Sequence, residues 1–123
     1  SVDQGLHWTP LKSWGIVAPE SPSTLRVIPS TGDLLLVWNN QWKSGAGHGG
    51  LRTPLVTSIS QDQGKSWLPP IMLEDSPKHT FAYTSLIFSK GRAMMSYYVR
   101  DEQTKTIGSR FHSIPIRRLY EPR

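Results

Sequence analysis

Cysteine is absent from the 123 residues, so neither a disulfide framework nor a thiolate metal site is available, and packing and hydrogen bonds alone must hold the fold. No apolar run reaches the roughly 18 residues a membrane-spanning helix needs. No membrane segment is therefore expected in this stretch; a signal peptide would lie upstream, and the compartment stays open, with secreted or periplasmic among the options. Helical sequence is lacking too, because ten prolines and ten glycines punctuate the chain too often for a helix of ordinary length. Clustered charge is also missing. The 14 Lys and Arg outnumber the 9 Asp and Glu, for a net charge of +5. The densest basic group, Arg110, Arg117, Arg118 and Arg123, has no stacking aromatic motif beside it. A nucleic-acid partner is not expected on that pattern, whereas a moderate positive field suits a small anionic ligand. His7, His48, His79 and His112 fall in separate turns or strands without metal-ligand spacing. No metal and no other cofactor is expected.

What is present is a repeat. Ser60-Gln61-Asp62-Gln63-Gly64-Lys65-Ser66-Trp67 follows an alternating run, Leu55-Val56-Thr57-Ser58-Ile59, and the same frame opens the chain at Ser1-Val2-Asp3-Gln4-Gly5-Leu6-His7-Trp8. Asp62 stands 59 residues after Asp3, and Gly91 stands 59 after Gly32, so the element recurs with its neighbours. The residue types describe a tight turn. Ser and Asp side chains accept backbone N–H groups two or three residues on, Gly takes the φ > 0 position that a Cβ resists, and Trp folds back over the turn. Every residue in the frame has a capping or packing duty, which makes it a fold-stabilising turn and not a catalytic group.

Between the turns the chain alternates strands and breaks. Residues 11–17 read as an outer strand, and Pro19 to Pro22 as a crossing. The runs 25–28 and 34–38 flank Pro29-Ser30-Thr31-Gly32-Asp33 as a hairpin, the second run being apolar enough for burial on both faces. Asn39 to Gly50 is rich in glycine and reads as a loop; its G-x-G spacing precedes a strand and not a helix, which excludes a phosphate cradle. Trp38 and Trp42 flank that loop, where an aromatic could stack on a sugar ring, although packing is the expected role of Trp38. Strands follow at 51–59 and 71–73, then a crossing at 74–79, a second hairpin over 81–99 turning at Ser89-Lys90-Gly91, a charged loop at 101–106, and a last strand broken by Pro115. Leu86 stands 61 residues after Leu25, which sets Tyr83 where the previous unit has a proline.

The frame S-x-D-x-G-x-[ST]-W resembles the Asp-box of sialidases and other bacterial-neuraminidase-repeat β-propellers, departing from it only at His7. Its structural positions here are Ser1, Asp3, Gly5 and Trp8, and Ser60, Asp62, Gly64 and Trp67. The resemblance implies an all-β fold: two consecutive four-stranded antiparallel blades, plus part of a third, of a six-bladed sialidase-type β-propeller. Residues 1–17 would end an upstream blade, 18–75 form the penultimate blade and 76–123 the last. A chain that opens on the first residue of a turn motif reads as the C-terminal piece of a longer protein.

Arg52, which precedes the strand and box of one unit, and Tyr83, in Ala82-Tyr83-Thr84-Ser85-Leu86 opening the next, are similar in arrangement to the C-terminal part of an exo-sialidase. By that resemblance Arg52 is the last of three arginines that hold the sialic-acid carboxylate, and Tyr83 is the nucleophile. A neutral phenol meets no charge repulsion from a substrate whose anomeric carbon bears a carboxylate, and it needs a neighbouring glutamate as base. Planar guanidinium groups match a carboxylate bidentately. The resemblance places the first two arginines, that glutamate and an aspartate acid/base in earlier blades, outside this chain. Glu20, Glu74 and Glu102 fall in crossings or loops and are given no catalytic role, and Arg26 is an inner-strand arginine without a family counterpart. The implied partner is a sialylated glycan or another acidic sugar. The alternative is a non-catalytic propeller that binds glycans or proteins through the same funnel.

Overall fold

A computed structural model describes residues 1–42 and 50–121 and shows two antiparallel sheets. The first has four strands in sequence order: β1 (Thr24–Val27), β2 (Leu34–Asn39), β3 (Leu55–Ser60) and β4 (Ile71–Glu74). The second has three, β5 (His79–Ser89), β6 (Arg92–Asp101) and β7 (Ile107–Pro115), followed by a single 3-10 turn over Ile116–Leu119. The architecture is all-β, and each sheet has the up-and-down order of a propeller blade.

The sheets are joined through one core. Ile28, Leu35, Val37, Leu55 and Ile59 of the first meet Phe81, Leu86, Ala93, Met95 and Tyr97 of the second, and Ile116 and Leu119 close its lower end. Strand β3 is buried along its whole length. Its opposite face, with Leu36 and Trp38 of β2, is apolar as well: Leu36, Trp38 and Val56 form a smaller cluster against Ile16 and Trp67. A sheet apolar on both faces is one built to be sandwiched, as the uninterrupted run 34–38 foretold.

Both boxes form tight turns capped by their Ser and Asp side chains, with the short bonds to backbone N–H groups reaching four residues on, further than the two or three expected. In the second, Ser60 Oγ donates to Asp62 Oδ1 at 2.8 Å and accepts from the Gly64 N–H at 2.7 Å, while Asp62 accepts the Ser66 N–H and hydroxyl at 2.8 and 2.6 Å. Gly64 has φ +90° and faces Trp14, whose ring a Cβ would meet at 3.3 Å. In the first, Ser1 Oγ donates to Asp3 Oδ1 at 2.9 Å and accepts from the Gly5 N–H at 2.8 Å, and Asp3 accepts the His7 N–H at 3.0 Å. His7, the one departure from the box pattern, contacts the second Asp3 oxygen through its ring Nδ1, the role that the hydroxyl of Ser66 fills in the other turn. Trp8 folds back so that its Nε1 donates to the Gly5 carbonyl at 3.0 Å.

Three expectations change. Residues 11–17 form no strand: they pair with no described strand and lie instead against the face of the first sheet, where Ile16 packs on Trp38 and Trp38 Nε1 donates to the Val17 carbonyl at 3.1 Å. The second sheet has three strands where four were expected. After Pro115, which has no N–H to give a ladder, the chain turns under the core, with the Ile116 N–H bonding the Gly91 carbonyl at 3.0 Å and the Tyr120 hydroxyl donating to Asp33 at 2.6 Å. Asn39 is not the start of a loop but the buried last residue of β2. The centre of the glycine-rich stretch, 43–49, lies outside the described residues.

Candidate functional site

Strands β2 and β6 end, and β3 and β5 begin, at the same end of the two sheets, opposite the box of Ser60. The link between them there is Asn39, 1% exposed. Its Nδ2 lies within hydrogen-bond distance of the carbonyl oxygens of Arg52, Pro54 and Phe81, at 2.9, 3.3 and 3.0 Å, and its Oδ1 accepts the Ser21 hydroxyl at 2.6 Å. The Phe81 N–H donates to the Arg52 carbonyl at 2.9 Å. These bonds fix the backbone of Arg52, three residues before β3, directly against the start of β5.

Two residues later β5 departs from regular pairing. Ala82 pairs with Tyr98 and Ser85 with Ser96, which leaves Tyr83 and Thr84 as a bulge, and Tyr83 has φ +56°. A tyrosine in that region is strained by about 1–3 kcal/mol, a cost such sites bear where the bulge re-aims a side chain. The Thr84 carbonyl, freed from the ladder, accepts the Thr24 hydroxyl at 2.6 Å across the sheets. The bulge turns the Tyr83 ring outward, 61% exposed. There the Arg52 guanidinium stands 5.4 Å from its centroid, a cation–π distance, and the Tyr98 ring lies at 5.6 Å.

The structure thus brings the two sequence-derived site residues together across the sheets. They line a cavity of about 420 Å³ with Gly50, Thr80, Tyr98, Arg100, Glu102 and Lys105. Glu102 is the one carboxylate in that lining. Its Oε1 accepts the Thr80 hydroxyl at 2.6 Å and its Oε2 accepts Lys105 Nζ at 3.2 Å. The Thr80 bond above all, with help from Lys105 and against some burial, holds this carboxyl below its usual range. No described group hydrogen-bonds the Tyr83 hydroxyl. The far wall was not found from sequence, because a charged turn after a strand looks the same whether it faces solvent or a cavity; only the period-two relation of Tyr98 and Arg100 on one face of β6 hinted at it.

The other candidates lie elsewhere. Trp38 is buried in the packing of the first sheet and Trp42 is exposed. Arg26 is exposed on β1, outside the cavity lining. Glu74 is half-buried at the end of β4, where it accepts the Tyr97 hydroxyl and pairs with Arg110, with His112 Nε2 at 3.5 Å. Burial first, and then the Glu74 carboxylate, push the Tyr97 phenol well up. Among the described residues no three histidine or carboxylate groups gather to hold a metal.

Residues 1–95, which include both box turns, Arg52 and Tyr83, match the model of the BNR repeat-like domain. The chain belongs to that family. BNR repeat-like domains are found in sialidases and related glycosidases. No curated protein and no solved structure matches the chain. Tyr98, Arg100, Glu102 and Lys105 lie beyond the matched stretch, so the far wall of the cavity is not part of what defines the BNR repeat-like match.

Proposed function

We propose that this BNR repeat-like chain supplies one side of the substrate site of an exo-α-sialidase-like glycoside hydrolase, a six-bladed propeller in its complete form. The observation that carries the reading is the meeting of Arg52 and Tyr83 at 5.4 Å, from different sheets and at one cavity. Arg52 holds the carboxylate of a terminal sialic acid. The Tyr83 oxygen then attacks the anomeric carbon as the glycosidic C–O bond breaks. A base takes the phenol proton and an acid protonates the leaving oxygen, both assigned by the family resemblance to earlier blades. Water displaces the tyrosyl oxygen in a second inversion, so the anomeric configuration is retained. A strained, exposed tyrosine backed by a guanidinium supports this reading, since neither packing nor stability calls for that residue at φ +56°.

A second reading, a glycan-binding propeller without turnover, draws on the same cavity, whose three cations hold an acidic sugar whether or not the Tyr83 oxygen attacks it. Hydrolysis of a fluorogenic α-sialoside by the complete protein separates the two. The enzyme reading expects turnover, release of the retained anomer by NMR, and at least a ~1000-fold fall in kcat for Tyr83→Phe. Full activity in that variant dismisses Tyr83 as nucleophile, and binding of the sialoside without turnover in the wild type favours the binder.

A further inference from the structure

The cavity holds more positive charge than one carboxylate requires. Arg52, Arg100 and Lys105 line it, against the single carboxylate of Glu102. Arg52 stands on the Tyr83 side, over its ring. Arg100 comes from the end of β6, on the same face as Tyr98, and Lys105 from the turn that follows. That turn is built to hold its shape. Asp101 Oδ1 accepts the N–H groups of Gln103 and Thr104, each at 2.8 Å, the Lys105 N–H bonds the Asp101 carbonyl at 2.9 Å, and the Asp101 N–H bonds the Thr106 carbonyl at 3.0 Å. Glu102 is tied down by Thr80, its backbone N–H bonding the Lys78 carbonyl at 2.9 Å, so it orients Lys105 without cancelling both cations. The guanidinium of Arg100 lines the cavity and makes no hydrogen bond to any described side chain; it acts on Glu102 through charge alone.

We propose that Arg100 and Lys105, with Tyr98 as a stacking surface between them and Tyr83, form a second anion subsite that receives a carboxylate or sulfate on the sugar next to the one held by Arg52. The preferred substrates are then di-acidic glycans, two acidic sugars joined or an acidic sugar on a sulfated one. This rests on the proposed glycosidase reading for its substrate frame. The physical basis is separate: cations gathered around one concavity attract an anion more strongly than the same charges scattered over an open surface, and a guanidinium binds either oxyanion with paired bonds.

The test uses the complete protein and three compounds: a sialic acid on a neutral disaccharide, a sialic acid on a second sialic acid, and a sialic acid on a sulfated disaccharide. The wild type should show a KM for at least one di-acidic compound about tenfold below that for the neutral-linked one, as a charged hydrogen-bond pair supplies. In the Arg100→Gln/Lys105→Gln double variant, checked for an intact melt, the ratio should fall towards one, and Arg100→Lys should keep most of it. Preference for the second compound alone identifies a carboxylate ligand, and for the third alone a sulfate. Equal KM values in the wild type, or a preference that survives the double substitution, overturn the subsite. Should the wild type hydrolyse none of the three, the glycosidase reading fails; calorimetric binding of the same compounds then decides the subsite on its own. Tighter binding of a di-acidic compound, lost in the double variant, upholds it, and equal or absent binding overturns it.

Discussion

Asn39 Nδ2 donates to the carbonyl oxygen of Phe81 at 3.0 Å, joining the end of one sheet to the start of the next at the point where Arg52 and Tyr83 converge. The amide also satisfies the Arg52 carbonyl, and its own oxygen takes the Ser21 hydroxyl. Removing it leaves several buried polar groups unpaired. Asn39→Ala should therefore lower stability by about 2–4 kcal/mol in chemical denaturation, and Asn39→Asp should not rescue it, because a carboxylate cannot donate. A loss under about 0.5 kcal/mol in both variants would show that the clamp is dispensable.

The box turns set a pH dependence. The Ser66 hydroxyl and N–H, with Ser60, hold the Asp62 carboxyl down from 3.8 to about 2. The His7 N–H, then its ring, lower Asp3 in the other turn. A carboxyl depressed in the folded state stabilises the fold above its unfolded value, near 3.9, and loses that contribution as pH falls through the folded value. Melting temperatures of wild type and Asp62→Asn should thus differ at pH 6 and draw together between about pH 4 and pH 2. Parallel curves across that range contradict the hydrogen-bonding account.

Tyr83 is placed against backbone preference, so stability and activity should part company there. At φ +56° glycine is unstrained, and the ring is mostly exposed. Tyr83→Gly should cost no stability and gain up to about 1 kcal/mol, whereas Tyr83→Ala, which keeps a Cβ, should gain nothing. Activity should be lost in both. A marked loss of stability in the glycine variant would mean that the ring is a packing residue.

Glu74 joins the sheets away from the site. It is 10% exposed at the side chain, accepts the Tyr97 hydroxyl and pairs with Arg110. Tyr97→Phe should cost about 1 kcal/mol. Arg110→Met should cost less than the several kcal/mol of a fully buried pair, on the order of 1–2, since the guanidinium is nearly half exposed. A double-mutant cycle that finds no coupling between positions 97 and 110 would place Glu74 outside a shared network.

Much of this was legible because it is local. The box turns follow from Ser, Asp and Gly at fixed offsets, and the hairpins from turn residues between β-prone runs. The pairing of Arg52 with Tyr83 was legible only through the resemblance to the C-terminal part of an exo-sialidase, laid on the repeat that sets one residue before a box and the other at the opening of the next unit. What escaped depends on partners distant in sequence. Nothing in Ala82-Tyr83-Thr84 announces a bulge, because its support is the Thr24 hydroxyl on another strand. Asn39 looked like the start of a glycine-rich loop because its three carbonyl neighbours lie 13, 15 and 42 residues on. Residues 11–17 have strand composition, but a strand is a property of a pair.

The central claim is that Tyr83 carries the sugar during turnover. Turnover of an α-sialoside by the complete protein, quenched at steady state and followed by peptide mass mapping, tests it most directly. The account predicts a sialyl adduct on the peptide that contains Tyr83, absent from Tyr83→Phe. An adduct on any other residue, or undiminished turnover in that variant, would contradict it.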